Sequence, residues 1–445
     1  MPRLTFVRSS ARDSTSIASN PARLLNLYPE PVGEEGRTTA LLRPVYGMTE
    51  IGQIDGVFIR DMIEDGGFLY AISPSGLFRA TLTSVVRLGD TAAGQTANLS
   101  RNLGAVTGCI GGAYFHWDIP TSTLSSPATG PIDNGVAWVE YLAGRTIIGE
   151  IGSGTFAWSE IADATTFPGL NFAVAEARED ATIRGFVIGN NLYLFGEKTT
   201  EIWGPAGSGA NAFGPLGVVI ERGLKSFGLV CAADDAIFVV GSDDIAYLMA
   251  GNEAIPVSTP AVTSAIRDGE PQSCTFWDER GHKFCAITFS DRPAWVLDLA
   301  TKVWFERAEG PLALPWRCRK AAKLGDWVVA GDDGGLYALR ESQLDAGEPL
   351  YREATSLPLE NDFQWFTVAE LEIMTGAGFE TGSIALSFGD GIVFGLPQQL
   401  PLGGVGVFDQ RSIYKALGRH RLFVARLSMT GPLVPIYADC RVRLA

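Results

Sequence analysis

An apolar run of about four residues, a Gly/Ser/Asp turn and a second apolar strand recur along this chain every forty-odd residues. In GRTIIGEIGSGTFAWS the run contains Ile147, and in NLYLFGEKTTEIW it contains Leu192, 45 residues on. In DAIFVVGSDDIAYLMAGN it contains Ile237, a further 45 on. Copies follow at Phe284 in HKFCAITFSDRPAWVLDL, 47 later, and at Trp327 in DWVVAGDDGGLYALR, 43 later. Upstream, GFLYAISPSGLFRA starts its run at Phe68, 79 before Ile147. That gap is nearly two units, and CIGGAYFHWDI (109–119) lies inside it as a degenerate copy. A period of roughly 40–50 residues with about four strands per unit predicts a β-propeller. Counting the weak copy, about seven blades fall between residues 52 and 345.

The local chemistry agrees. Runs such as IFVV do not alternate, so each such strand is expected to be covered on both faces, as inner strands of stacked sheets are. The turns GSDD, SPSG and DDGG hold residues that accept positive φ or bond their own backbone. The 52 glycines and 24 prolines fit many short strands joined by tight turns. At 445 residues the chain exceeds the roughly 250–300 at which one core stops growing, unless a toroidal architecture spreads it.

Two flanks lie outside the repeat. Residues 1–51 include SNPARLLNLYPEPVGEEG and read as an N-terminal arm without periodicity, suited to ordering on a neighbouring subunit. Beyond 345 the texture changes. FTVAELEIMTG, GSIALSFGDG, RLFVARLSMTG and VPIYADCRVRL mostly alternate apolar and polar residues, predicting half-exposed antiparallel strands and a separate C-terminal β-sandwich over 346–445. The expected class is all-β. One short helix is expected in TPAVTSAIRDG (259–269), with Val262, Ala265 and Ile266 facing inward.

The balance of 35 basic against 50 acidic residues gives a net charge of −15, which repels phosphate backbones and argues against a sequence-reading DNA binder. It permits a channel through which DNA slides without sticking. It also offers no basic stripe for an anionic membrane, and no run approaches the roughly 20 apolar residues of a spanning helix. The opening MPRLTFVRSSARDSTS has no apolar signal-peptide core, so a soluble protein without such an export signal is expected. Cys109, Cys231, Cys274, Cys285, Cys318 and Cys440 show neither CxxC nor zinc spacing and read as isolated thiols made in a reducing compartment.

Glu197 and Glu201, four residues apart, are candidates for a catalytic carboxylate pair. A hairpin could hold two carboxyls within the ~5–10 Å a glycosidase needs. The repeat alignment points elsewhere: the equivalents of Glu197 are Gly152, Ser242 and Asp332, so Glu197 occupies a solvated turn position. Glu201 opens a strand and suits capping backbone amides. The doublets Asp234–Asp235, Asp243–Asp244 and Asp332–Asp333 lack the register of a calcium loop and read as turn acids. His116 lies beside Trp117 and Asp118, but no G-x-S-x-G elbow supplies a nucleophile; it reads as a strand histidine with a satisfied ring. His282 and His420 read as polar strand-edge residues. The clusters GSGAN and LGGVGVF lack the following helix of a phosphate loop, and no sialidase-type S-x-D-x-G-x-T-W turn occurs. Trp138, Trp158, Trp203, Trp277, Trp295, Trp304 and Trp327 lie in or beside the repeat strands, where filling the wedge between blades is the expected use and sugar stacking on a rim the alternative. No catalytic, cofactor-binding or metal-ligating residue is expected, and the chain is read as a non-enzyme.

Several of these segments together resemble a known family. FAWSEIADATTFPGLNFAVAEAREDATIRGFVIGNNLYLFGEKTTEIWGPAGSGANAFGPLGVVIERGLKS carries a WS pair, an AD-TT turn, an F-A-AE strand, LYLFGE-TTEIW and IERG in order. STPAVTSAI and AWVLDLATKVWFERA follow, and RSIYKALGRHRLFVARLSMTGPL is similar to an Arg-rich R-LGR-R--VFR ending. In this order they resemble the packaged-DNA stabilisation, or tail hub (head-completion), proteins of short-tailed bacteriophages. The likeness runs from about residue 55 to the C-terminus and is poorest from about 85 to 135.

The resemblance implies a virion structural protein of the tail, assembled in the host cytoplasm. Such proteins form a homohexameric ring below the portal and adaptor, extend the DNA channel, retain the packaged genome and hold the tail needle, nozzle or tailspikes. Double-stranded DNA would pass without sequence-specific contact, with no membrane insertion and no cofactor. The alternatives are a propeller that binds glycans as an adsorption module, a glycoside hydrolase using Glu197 and Glu201, and the nozzle ring of a short-tailed phage.

Overall fold

The structure, a computed structural model, describes residues 3–7, 16, 20–33, 38–54, 58–362, 364–376, 378–408 and 410–444. Among the described residues, seven four-stranded antiparallel units follow one another, the sixth of them forming the start of an eleven-stranded sheet. Their first strands are Asp61–Asp65, Ala97–Asn102, Val136–Leu142, Thr182–Ile188, Val230–Ala233, Pro271–Glu279 and Cys318–Leu324. The first strands of successive blades lie side by side except between the fourth and fifth, and the seventh returns to the first. Between the fourth and fifth, Arg184 Nη1 donates to the Phe227 carbonyl at 2.9 Å, and the two sheets share one apolar cluster. The molecule is a β-propeller with seven blades.

Each second strand is apolar because each is sandwiched. In the fifth blade Ile237, Phe238, Val239 and Val240 have no exposed surface, as expected of a strand with sheets on both faces. Bulky rings fill the widening space between blades. Trp138 from the third blade lies where a Cβ on Gly149 or Gly185 would come within 2.0 and 2.4 Å of its ring, so those two glycines make its slot. The degenerate segment at 109–119 proves to be part of a complete second blade, with Ala105–Ile110 pairing Ala113–Asp118 from Ala105↔Asp118 to Ile110↔Ala113.

The last blade is not built from contiguous chain. Its outer strand is Gly47–Gln53, antiparallel to Gly335–Arg340. Residues 1–51, expected as an arm, are not one throughout. Instead, Gly47–Gln53 closes the ring, while Leu27–Pro31 and Ala40–Pro44 pair with each other and Ala40–Pro44 with Ile436–Tyr437. The parts of that segment at 1–2, 8–15, 17–19 and 34–37 lie outside the described residues. The pattern was illegible because GMTEIGQ carries no apolar run, and its partner strand lies at the far end of the propeller.

After the seventh blade, Tyr351–Thr355, Ser383–Gly389, Gln398–Pro401 and Leu422–Thr430 extend the sixth blade's sheet outward through Arg23–Leu25. A further sheet orders Arg3–Thr5, Asp439–Leu444, Phe366–Ile373 and Ser412–His420. Val368, Leu371 and Val442 from the latter share one buried cluster with Ile384, Leu386 and Leu427 from the former. The same cluster contains Trp277, Phe284 and Phe305 of the sixth blade, so this core runs unbroken into the propeller. The expected helix is present as Pro260–Asp268, with Thr259 Oγ1 accepting from the Val262 amide and Val262 and Ile266 buried.

Candidate functional site on the propeller face and axis

The turns that follow the second strand of each blade lie on the same face as the starts of the inner strands, and Glu197 sits in one of them. It is exposed. Its backbone amide, with those of Lys198 and Thr199, donates to the Asp180 carboxylate at 2.8 Å in each case. Asp180, which the repeat pattern does not mark, therefore caps the turn. Glu201 is buried and fully engaged: Oε1 accepts from the Ala177 amide at 2.8 Å and Oε2 from the Trp203 indole at 3.1 Å. One carboxylate is solvated and the other is a structural acceptor, so they do not form an acid–base pair across a cleft.

The acidic doublets also have assigned partners. Asp243 accepts from the Tyr247 hydroxyl at 2.6 Å, and Arg222 Nε donates to the same hydroxyl at 3.0 Å. The seventh blade repeats the device: Asp333 accepts from Tyr337 at 2.6 Å and from Arg317 at 2.7 Å, and Arg317 donates to Tyr337 at 2.9 Å. Asp244 pairs with Lys225, Asp234 with Lys283 at 2.6 Å, and Asp332 with Arg319 at 3.3 Å. Among the described residues, no group of three or more His, Cys, Asp or Glu is placed to hold a metal ion.

His116 is buried in the third strand of its blade, and burial pushes its pKa down from the usual imidazole value. His282 departs from its reading as a strand-edge residue. It is buried, with Nδ1 2.8 Å from Asp298 Oδ2, and the hydrogen bond to that carboxylate raises its pKa despite burial. Asp298 also accepts from the Ala300 amide and the Thr301 hydroxyl, so the group organises a turn. His420 Nε2 lies 2.7 Å from the Leu417 carbonyl. Of the repeat tryptophans, Trp138, Trp158, Trp203, Trp277, Trp295 and Trp304 are buried. Trp327 is half-buried and donates to Asp278 at 2.8 Å. Wedge filling accounts for all but one of them.

A cluster that no local motif announces lies on the propeller axis, assembled from five inner strands. Lys320 Nζ is 3.5 Å from Asp61 Oδ1, and Asp61 Oδ2 accepts from the Leu99 amide at 2.8 Å. Asn98 bonds both the amide and carbonyl of Val139 in the next blade, at 2.9 and 2.6 Å. Beside them stand Glu140 and Arg184. Glu140 keeps a strip of accessible surface, yet protein surrounds its carboxyl closely. That crowding pushes its pKa up to about 8, with Asp61 acting in the same direction and Arg184 and Lys320 opposing. The cysteines near this axis are buried, and burial raises Cys109 and Cys231 to about 12, leaving inert thiols rather than nucleophiles. The cluster links blades side to side. These residues are roughly one period apart, so only ring closure brings them together.

Comparison with known proteins fixes the family. Residues 17–343 match the family model described as "Bacteriophage P22 Gp10, beta-propeller". No curated protein matches the chain. Among solved structures, the chain is similar to one in the Mitotic Checkpoint Complex, at 12% identity and a TM-score of 0.48, covering 67% of this chain and 97% of that one. It is also similar to the N-terminal domain of Nup159, at 9% identity and 0.43, covering 70% and 97%. A third is the extracellular domain of the putative one component system BT4673 from B. thetaiotaomicron, at 8% and 0.48, covering 67% and 40%. With its closed ring of blades and a match over most of its length, this chain belongs to the bacteriophage P22 Gp10 β-propeller family: it is a phage structural protein and hence a component of the virion.

Proposed function

We propose that this protein is the subunit of a homohexameric tail hub, a head-completion ring that docks below the portal and adaptor. It prolongs the DNA channel, retains the packaged genome and anchors the distal tail parts, whether needle, nozzle or spikes. It makes and breaks no covalent bonds, and it is assembled in the host cytoplasm. The observation that carries this reading is the family match across residues 17–343.

Physical features support it. A propeller closed by strand pairing is a stiff wedge, suited to repetition around a ring, and its loops offer separate surfaces to different neighbours. A net charge of −15 repels the phosphate backbone and favours passage of DNA over retention by contact. The purified chain, mixed with its portal–adaptor complex, is expected to add one ring of density in negative-stain images. Phage particles lacking the protein are expected to lose packaged DNA. Unchanged images, or particles that keep their genome without it, would overturn the proposal.

A further inference from the structure

The face that carries the inner-strand starts opens into a funnel on the propeller axis, a cavity of ≈ 500 Å³ whose lining includes Arg60, Gln95, Ser226, Gln272, Ser273 and Arg319. Two arginines dominate it. Burial, together with the like charge of Arg319, pushes the Arg60 guanidinium below its usual value, so the two cations stand within electrostatic reach of each other. Arg60 Nη2 donates to Gln95 Oε1 at 2.5 Å, and Arg319 Nη2 lies 3.3 Å from Asp332. Their remaining donors are not all matched. Arg60 Nε and Arg319 Nη1 are buried without a hydrogen-bond partner among the described residues.

A buried, unmatched N–H is costly to leave unpaired and calls for an acceptor. The nearby acids do not supply one. Asp332 faces Arg319 alone, and Glu270 at the rim accepts from the Ser290 hydroxyl. Deeper on the axis, Lys320 has Asp61 beside it. The lining itself holds these two arginines and no acidic side chain, so an anion entering it meets the unmatched donors directly.

A second cavity of ≈ 450 Å³ adjoins it across Gln95, Thr96 and Phe227, with Val136, Ala137, Ile151 and Ile183 in its wall and the exposed Glu197 as its one acidic neighbour. Its surface is largely apolar. A hydrated inorganic ion would leave that space wet, whereas a carboxylate joined to an apolar group fills both.

We propose that this axial funnel is a binding site for a carboxylate carried on an apolar group, with Arg60 and Arg319 holding the oxygens and the Val136–Ile183–Phe227 cavity holding the apolar part. An acidic residue flanked by hydrophobic ones on a partner segment presents this chemistry. The site belongs to the single propeller and does not depend on ring assembly, so its failure and that of the hub proposal are separable.

Calorimetric titration of the full chain at fixed ionic strength tests it, using 4-phenylbutyrate, its neutral amide and inorganic phosphate. The expected result is saturable binding of the carboxylate, weakened about tenfold in Arg60→Gln and in Arg319→Gln, the loss of about one charge-assisted hydrogen bond. Arg60→Lys should recover part of the affinity. Arg101→Gln, an exposed arginine in the second blade's inner strand, should bind as the parent does and controls for bulk charge. Circular dichroism establishes that each variant is folded, and Arg60→Lys carries the test should a glutamine variant fail. Equal binding of amide and carboxylate, phosphate binding as tightly as the carboxylate, or no binding above the control titration would each overturn the proposal.

Discussion

The sixth and seventh blades are neighbours built to the same plan, yet their outer edges end in opposite ways. In the sixth, Trp304–Glu309 is an outer strand whose edge is extended: Arg23–Leu25 joins it in parallel, Leu25 opposite Glu306, and carries the sheet outward. In the seventh, the outer position is empty in the local sequence and is filled by Gly47–Gln53 from before the first blade. One N-terminal segment therefore does two jobs. It closes the ring at one blade and couples the propeller to the C-terminal sheets at the other. An unprotected strand edge invites pairing with another chain, and here both edges are covered by the same stretch of polypeptide.

Asp345 joins the two blades. Its Oδ1 accepts from the Met48 amide at 3.1 Å and from Arg307 at 2.7 Å, and both charged side chains are almost wholly buried. Asp345→Ala leaves Arg307 buried and unpaired, and a loss of about 3–5 kcal/mol is expected in urea unfolding. This is the largest effect predicted. A change within 1 kcal/mol, roughly a surface substitution, would show that the junction is not shared.

Next in size is a matched pair of proline substitutions. Both backbone groups of Met48 face residues 345 and 346, so Thr49, opposite Ala338, presents its amide to the seventh blade. Thr49→Pro should cost about 3 kcal/mol and speed hydrogen exchange in Gly335–Arg340. Leu25→Pro should instead speed exchange in Tyr351–Thr355 while the ring stays closed. Equal exchange in both variants would erase the distinction between the two edges.

A smaller effect depends on pH. In the sixth blade the Asp298 bond raises the His282 pKa in the folded state. The stabilisation is then fully present below the unfolded imidazole value of ~6.5 and is lost as pH rises through the higher folded value. His282→Gln should cost about 1–2 kcal/mol at pH 5.5 and less at pH 8.5. A cost that grows with pH would reverse the assignment. Smallest is Tyr337→Phe in the seventh blade, which removes one hydroxyl from the Asp333–Arg317 group and should cost about 1 kcal/mol. Tyr247→Phe in the fifth should match it closely, because the tyrosine–aspartate bond there has the same length, 2.6 Å.

Much of the architecture was legible in residues read one period at a time. The IFVV run at 237–240 announced a strand covered on both faces, and the turns after it announced hairpins. Glu197 was recognised as a turn residue because its equivalents are Gly152, Ser242 and Asp332. Other features were not legible. His282 looked like an edge residue because nothing near it in sequence reveals Asp298, which the neighbouring strand brings to it. Asp180, just before the inner strand of the fourth blade, caps the Glu197 turn of that blade and belongs to no repeated motif. The funnel arginines, Arg60 and Arg319, come from the first and last blades and meet only because the ring closes.

The repeat, the strand-and-turn content, the short helix at Pro260–Asp268 and the scarcity of local catalytic motifs can all be read from the residues alone. Those depend on side-chain periodicity and turn chemistry, which act over a few residues. How the wheel closes, which edges are covered and which charges share the axis emerge once the chain has folded. These depend on backbone hydrogen bonds that Gly47–Gln53 satisfies with a strand at the other end of the propeller, and on the burial that follows. A pairing of this kind leaves almost no trace in the residues on either side, because a ladder bond uses the same amide and carbonyl whatever the side chain.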